Sequence, residues 1–133
     1  MIPKIKVEFC ITGKGLRPEE ITGSLNIIPT KTWLEGDPLQ GTKLRRKHNG
    51  WCLSLKDEAS SLDLDANINE LLRFLLPKSD QVSYLCSEYD MDCELSCAIR
   101  IRDEVPAINL NPKTLSALSS LNAAIDIDII LTE

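Results

Sequence analysis

The chain begins with strict alternation. Ile5, Val7, Phe9 and Ile11 fall on one side of an extended segment, and Lys6, Glu8, Cys10 and Thr12 fall on the other. That is the pattern of a strand with one buried face. Gly13 and Gly15 mark a turn after it. Pro18 suits a first helical position, and Glu19 and Glu20 suit the positive end of a helix dipole. A short helix is expected there, with Ile21, Leu25 and Ile28 on one face. Gly23 weakens it and Pro29 stops it. Residues 30–50 hold Gly36, Pro38, Gly41 and Gly50 and no sustained period. They form a long connection for a compact domain, with room for a short strand around Trp33.

Alternation returns at Trp51, Leu53 and Leu55. The longest helix follows, capped by Asp63 or Asp65, striped by Ile68, Leu71, Leu72 and Leu75, and ended by Pro77. The segment QVSYLCSEY reads as one arm of a hairpin turning near Asp90 and Asp92. In the second arm Cys93, Leu95, Cys97, Ile99 and Ile101 alternate with Glu94, Ser96, Ala98, Arg100 and Arg102. AINL, 107–110, reads as a short strand, and Asn111 and Pro112 as the cap and first position of a helix lined by Leu115, Leu118 and Leu121. A last strand turns Ile125, Ile127, Ile129 and Leu131 inward and Asp126 and Asp128 outward.

This order predicts a single α+β domain over residues 1–133. The expected architecture is a two-layer sandwich, a mostly antiparallel sheet of about five to six strands with three helices packed on one face. The alternation speaks against a parallel sheet covered on both sides. A strand, a turn and a Pro-started helix occur near both ends, an echo of two similar halves as in ferredoxin-like folds.

Composition changes this picture little. A chain of 133 residues builds a core without staples. No apolar run is long enough to span a bilayer, and the first residues lack the apolar region of a signal peptide. A cytoplasmic protein is expected, with no membrane partner. Five cysteines, an odd number at scattered positions, speak against a disulfide framework and for a reducing compartment. Cys93 and Cys97 share the apolar face of their strand, where thiols act as small hydrophobes.

Charge changes it more. The net charge is −5, but residues 1–50 carry nine Lys and Arg against five Asp and Glu, and residues 51–133 carry six against fifteen. Nucleic acid is disfavoured, because phosphate contacts need a concentrated basic surface. An acidic face suits a basic partner. Glu88, Asp90, Asp92 and Glu94 recur every second residue. They read as a soluble hairpin tip, a contact for a basic partner, or a divalent-cation site that lacks the glycine and carbonyl ligands of a calcium loop. Asp126 and Asp128 share one strand face, where charge also protects a sheet edge. The basic run KLRRKH, with Arg45 and Arg46, closes the long loop as solvated charge or as the opposite edge of a partner surface.

The motifs of common enzymes are missing. There is no P-loop, G-x-G-x-x-G, G-x-S-x-G or H-E-x-x-H pattern. The single histidine, His48, has no sequence partner for base chemistry, and no C-x-x-C offers a zinc site. Neither enzymatic activity, nor a metal, nor a cofactor is expected.

Three stretches carry a resemblance: PEEITGSLNIIPTKTWLEGD after the first strand, GWCLSL before the long helix, and LNAAIDIDII at the end. In this order and spacing the chain resembles the bacterial domain-of-unknown-function 4279 family over nearly its whole length. The matching positions include Glu20, Ile21, Thr22, Leu25, Pro29, Thr30, Gly36, Trp51 and Asp126 to Asp128. Ile129 and Ile130 stand where the family often has an aromatic. The resemblance implies a fold and no catalytic motif. Small acidic bacterial domains of this type recur as immunity proteins. The expected function is therefore binding and neutralising a cognate basic toxin, through Glu88, Asp90, Asp92, Glu94, Asp126 and Asp128, with Arg45 and Arg46 at the other edge. The alternative is a small-molecule-binding or regulatory domain, with a pocket between sheet and helices near Trp33 and Trp51.

Overall fold

The structure, a computed structural model, describes residues 4–55, 63–103 and 108–131. Its elements run β1 (Lys4–Gly13), α1 (Pro18–Leu25), β2 (Lys31–Trp33), β3 (Asn49–Ser54), α2 (Leu64–Leu75), a 3-10 turn (Leu76–Lys78), α3 (Ser79–Tyr89), β4 (Asp92–Ile101), α4 (Pro112–Ser120) and β5 (Ala123–Leu131). The strands form one sheet in the order β2-β3-β1-β4-β5. Three pairings are antiparallel, and β4–β5 is parallel. A parallel pair needs a crossover connection, and the one between β4 and β5 contains α4. The result is the expected α+β two-layer sandwich: among the described residues, five strands and three helical stretches, the second made of α2, the 3-10 turn and α3.

The alternation of β1 and β4 sets the layers. Ile5, Val7, Phe9 and Ile11 of β1 are buried, as are Cys93, Leu95, Cys97 and Ile99 of β4, and the register pairs the two sets one to one. They meet Ile21 and Leu25 of α1, the stripe Leu64, Ile68, Leu71, Leu72 and Leu75 of α2, and Val82 and Leu85 of α3 in one core. Burying side chains of this size contributes roughly 1.5–3 kcal/mol each. Asp63 caps α2 by accepting a hydrogen bond from the Ala66 amide at 3.1 Å. Such a cap contributes about 1 kcal/mol.

Several expectations fail locally. QVSYLCSEY lies in α3, so there is no hairpin at Asp90–Asp92. Val82, Leu85 and Cys86 are buried at helical spacing. Pro77 does end α2, but it sits in the opening turn of a new helical segment, where its missing amide costs nothing. Asp90 takes a left-handed conformation, φ 52°, and ends α3. AINL forms no strand at Ile108–Leu110, and Ala107 lies outside the described residues. The echo between the two ends of the chain therefore has no strand at its second copy. Asn111 occupies the cap position of α4, but its side chain reaches Asp65 instead. The α1 helix stops before Ile28, which is 85% exposed. Leu115 is exposed while Leu118 and Leu121 are buried. Ile125, Ile129 and Leu131 point to the helix side as expected, yet Ile129 is 45% and Leu131 73% exposed. They belong to an edge strand that the helices cover only in part.

Candidate functional site

The helices leave the other face of the sheet open. Register assigns its side chains in rows across the strands. One row is Lys31, Cys52, Cys10, Glu94 and Ala124. A second is Trp33, Gly50, Thr12 and Asp92. A third is Ser54, Glu8, Ser96 and Asp126, and Asp128 lies beside Ala98 in the next. Two-residue periodicity alone puts these groups on one face. A shallow cavity of about 710 Å³ opens over the first two rows, lined by Glu8, Cys10, Lys31, Trp33, Arg46 and Glu94 among others.

Trp33 forms one wall. Its ring lies over Gly50, where any Cβ would collide with the indole. The Arg46 guanidinium stacks 4.0 Å from the ring centroid, and the Lys31 ammonium lies 5.6 Å from it. Stacked cations of this kind contribute about 0.5–1 kcal/mol at exposed sites. The arm that delivers Arg46 is ordered by its own hydrogen bonds. Gly36 donates to the Arg46 carbonyl at 2.9 Å, Arg46 donates to the Asp37 carbonyl at 2.8 Å, and Glu35 donates to the Asn49 side chain at 2.6 Å. The stretch expected to be the least regular is therefore a structured arm with β2 at its start.

The floor holds a disulfide between Cys10 and Cys52, whose Cα atoms lie 4.2 Å apart as direct partners on β1 and β3. This corrects the expectation of no disulfide. Spacing along the chain cannot show that two strands 42 residues apart pair in this register. Glu8 Oε1 lies 3.5 Å from Cys10 Sγ and 3.5 Å from Lys31 Nζ. Among the described residues Glu8, Cys10 and Cys52 form a group with donor atoms within 4.8 Å of one another, but in the disulfide neither sulfur is a thiolate ligand.

The other three cysteines are free and buried on the helix side. Cys86 and Cys93 sulfurs lie 2.8 Å apart. The Cys93 thiol is pushed up by its hydrogen bond to Cys86 and by burial, and Cys86 is lowered chiefly by the same bond. Burial also pushes Cys97 up to about 12.

The residues expected to meet a partner divide. Asp92, Glu94, Asp126 and Asp128 gather on the open face. Glu88 sits on α3, and Asp90 rims a separate depression with His48, Lys14 and Asp92. Without the hairpin these two do not continue the acidic row. Arg46 joins the site, while Arg45 donates to the Gly36 carbonyl at 3.0 Å and holds the arm. Trp33 and Trp51 do not share a pocket. Trp51 is buried in the core, its indole nitrogen donating to Thr22 Oγ1 at 3.0 Å, and Trp33 is on the opposite face. The pattern along the chain does not mark Cys10, Glu8 or Lys31 as site residues. Their only sequence signal is that each sits opposite the apolar set of its strand or on a short polar one.

No helix among the described residues is long and apolar enough to cross a membrane. A family model, Domain of unknown function (DUF4279), matches residues 3–132. No curated protein and no solved structure matches the chain.

Proposed function

Because the chain belongs to the domain of unknown function 4279 family, whose description carries no activity, we propose a function from the open sheet face itself. The protein is a non-enzymatic binding domain that seats a basic protein partner, and its role is that of a bacterial cytoplasmic immunity protein neutralising a cognate toxin. One observation carries this reading: Asp92, Glu94, Asp126 and Asp128 lie on one sheet face that no helix among the described residues covers. Such a patch steers a basic surface toward it and speeds encounter. Trp33, backed by Arg46, supplies an aromatic anchor beside the charge.

The test begins with the reading frames beside this chain's gene: a secreted protein ending in a toxin domain there supplies the partner, and its absence counts against the reading. Association is measured by surface plasmon resonance at two salt concentrations. Reversing Glu94, Asp126 and Asp128 to Lys should slow association at least tenfold and flatten its salt dependence. Unchanged association in that variant would overturn the reading.

The cavity beside Trp33 favours a second reading, a small-molecule-binding or regulatory domain. A ligand there would change Trp33 emission and leave the buried Trp51 unaffected. A flat response across a metabolite panel counts against it.

A further inference from the structure

The cysteines fall into two classes by face. Cys86, Cys93 and Cys97 are free and buried on the helix side. Cys10 and Cys52 stand on the open side, joined to each other. They are a directly opposed pair in the middle of a regular antiparallel ladder that continues from Glu8↔Ser54 to Gly13↔Asn49. The ladder's own hydrogen bonds hold the two sulfurs together whether or not they are bonded. Making or breaking this bond therefore requires no change of strand register.

Access to the two sulfurs differs. Cys10 is half-buried and lines the open cavity, while Cys52 is 0% exposed and does not line it. Cys10 is the partly exposed member of the pair and Cys52 the fully buried one, so a small thiolate approaching the open face meets Cys10 first. Lys31 is the register partner of Cys52 on the strand beyond it, and its ammonium pairs with the Glu8 carboxylate at 3.5 Å, beside the disulfide. Glu8 Oε1 lies beside Cys10 Sγ, a contact that becomes an S–H···O hydrogen bond only when Cys10 carries a proton.

We propose that Cys10–Cys52 is a thiol–disulfide exchange site for low-molecular-weight thiols, with Cys10 the attacked sulfur and Cys52 the leaving and resolving one. This holds independently of the partner-binding reading. In the first step the thiolate of the small thiol attacks Cys10 Sγ. A bond forms between the two sulfurs, the Cys10–Cys52 bond breaks, and its electron pair leaves on Cys52 Sγ. In the second step another small thiolate attacks its own kind in the mixed disulfide and releases Cys10 as thiolate. Two small thiols are oxidised to their disulfide, and the protein pair gains two electrons and the two protons those thiols supplied. In the reverse direction Cys52 attacks the mixed disulfide on Cys10 and closes the bond.

The full chain is equilibrated across ratios of reduced to oxidised glutathione, quenched by denaturing alkylation, and weighed intact. Free thiols should rise from three to five as the buffer becomes reducing and fall back on oxidation, with the circular dichroism of the fold unchanged. With oxidised glutathione, Cys52→Ala should retain one glutathione adduct, mapped to Cys10, and Cys10→Ala should retain none while folded. Should either variant not fold, wild type in reducing buffer is treated with limiting iodoacetamide, and Cys10 should be alkylated before Cys52. Three outcomes overturn the proposal: five free thiols at every ratio, reduction only on unfolding, or equal modification of Cys10 and Cys52.

Discussion

The indole of Trp33 rests on Gly50, its antiparallel partner across β2 and β3, and the Arg46 guanidinium lies 4.0 Å from the ring centroid. Glycine at 50 is a matter of space rather than of backbone angle. A methyl group there meets Cε2, Cζ2 and Nε1 of the ring.

Gly50→Ala should therefore lift Trp33 off the sheet. The expected cost is about 1–3 kcal/mol, the range for overpacking a filled contact. Urea unfolding would show the lower midpoint. Trp33 emission would shift to the red as the ring enters water, with little change at Trp51. An unshifted spectrum with wild-type stability would remove Gly50 as the platform's support.

Thr22 links α1 to the sheet through the buried indole of Trp51, accepting its N–H at 3.0 Å and donating to the Pro18 carbonyl at 3.2 Å. Thr22→Val keeps the shape and removes the acceptor. It should cost about 1–3 kcal/mol, the penalty for a buried unsatisfied donor. Thr22→Ser should recover most of it, because the hydroxyl survives. Equal midpoints for the Val and Ser variants would contradict this.

Asp65 ties α2 to the start of α4. Its carboxylate accepts from the Asn111 amide at 3.0 Å, from the Asn111 side chain at 2.9 Å and from Asn69 at 3.1 Å. Asp65→Ala should destabilise by about 1 kcal/mol, since the bonds are exposed to water. The sharper readout is hydrogen exchange, where the Asn111 amide should lose its protection while the core amides of β1 and β4 keep theirs.

Alkaline pH should weaken the fold through Cys97. Burial raises its pKa from the ordinary 9.0 to about 12, with the Asp126 charge adding to the shift. The folded state thus holds the proton more tightly than the unfolded chain. The stabilisation is complete below about pH 9 and is lost as pH rises toward 12. Cys97→Ala should flatten the fall in urea midpoint across that window, even though its absolute stability is lower. An equally steep fall in the variant would place the titrating group elsewhere.

The legibility of the fold followed burial. Strands β1 and β4 have one face in the core and one in water, so their alternation was plain in the chain, and α2 announced itself through its leucine stripe and Asp63. The α3 segment reads as a strand in the chain because Val82, Tyr84 and Cys86 also satisfy a period of two. Only packing against the core shows that Val82, Leu85 and Cys86 are the buried set. The apolar positions of edge strand β5 all read as inward, because sequence cannot reveal how far a helix layer extends.

The sequence by itself determined which side chains of each strand lie opposite the apolar set, and hence that Glu94, Asp126 and Asp128 avoid the core. That information is local, carried by successive residues pointing to opposite faces. Only the tertiary structure decided that Cys10 meets Cys52, that Lys31 and Glu94 lie in their row, and that Arg46 stacks on Trp33. Strand order and register are set by the packing of the whole core, and no short stretch of the chain contains them.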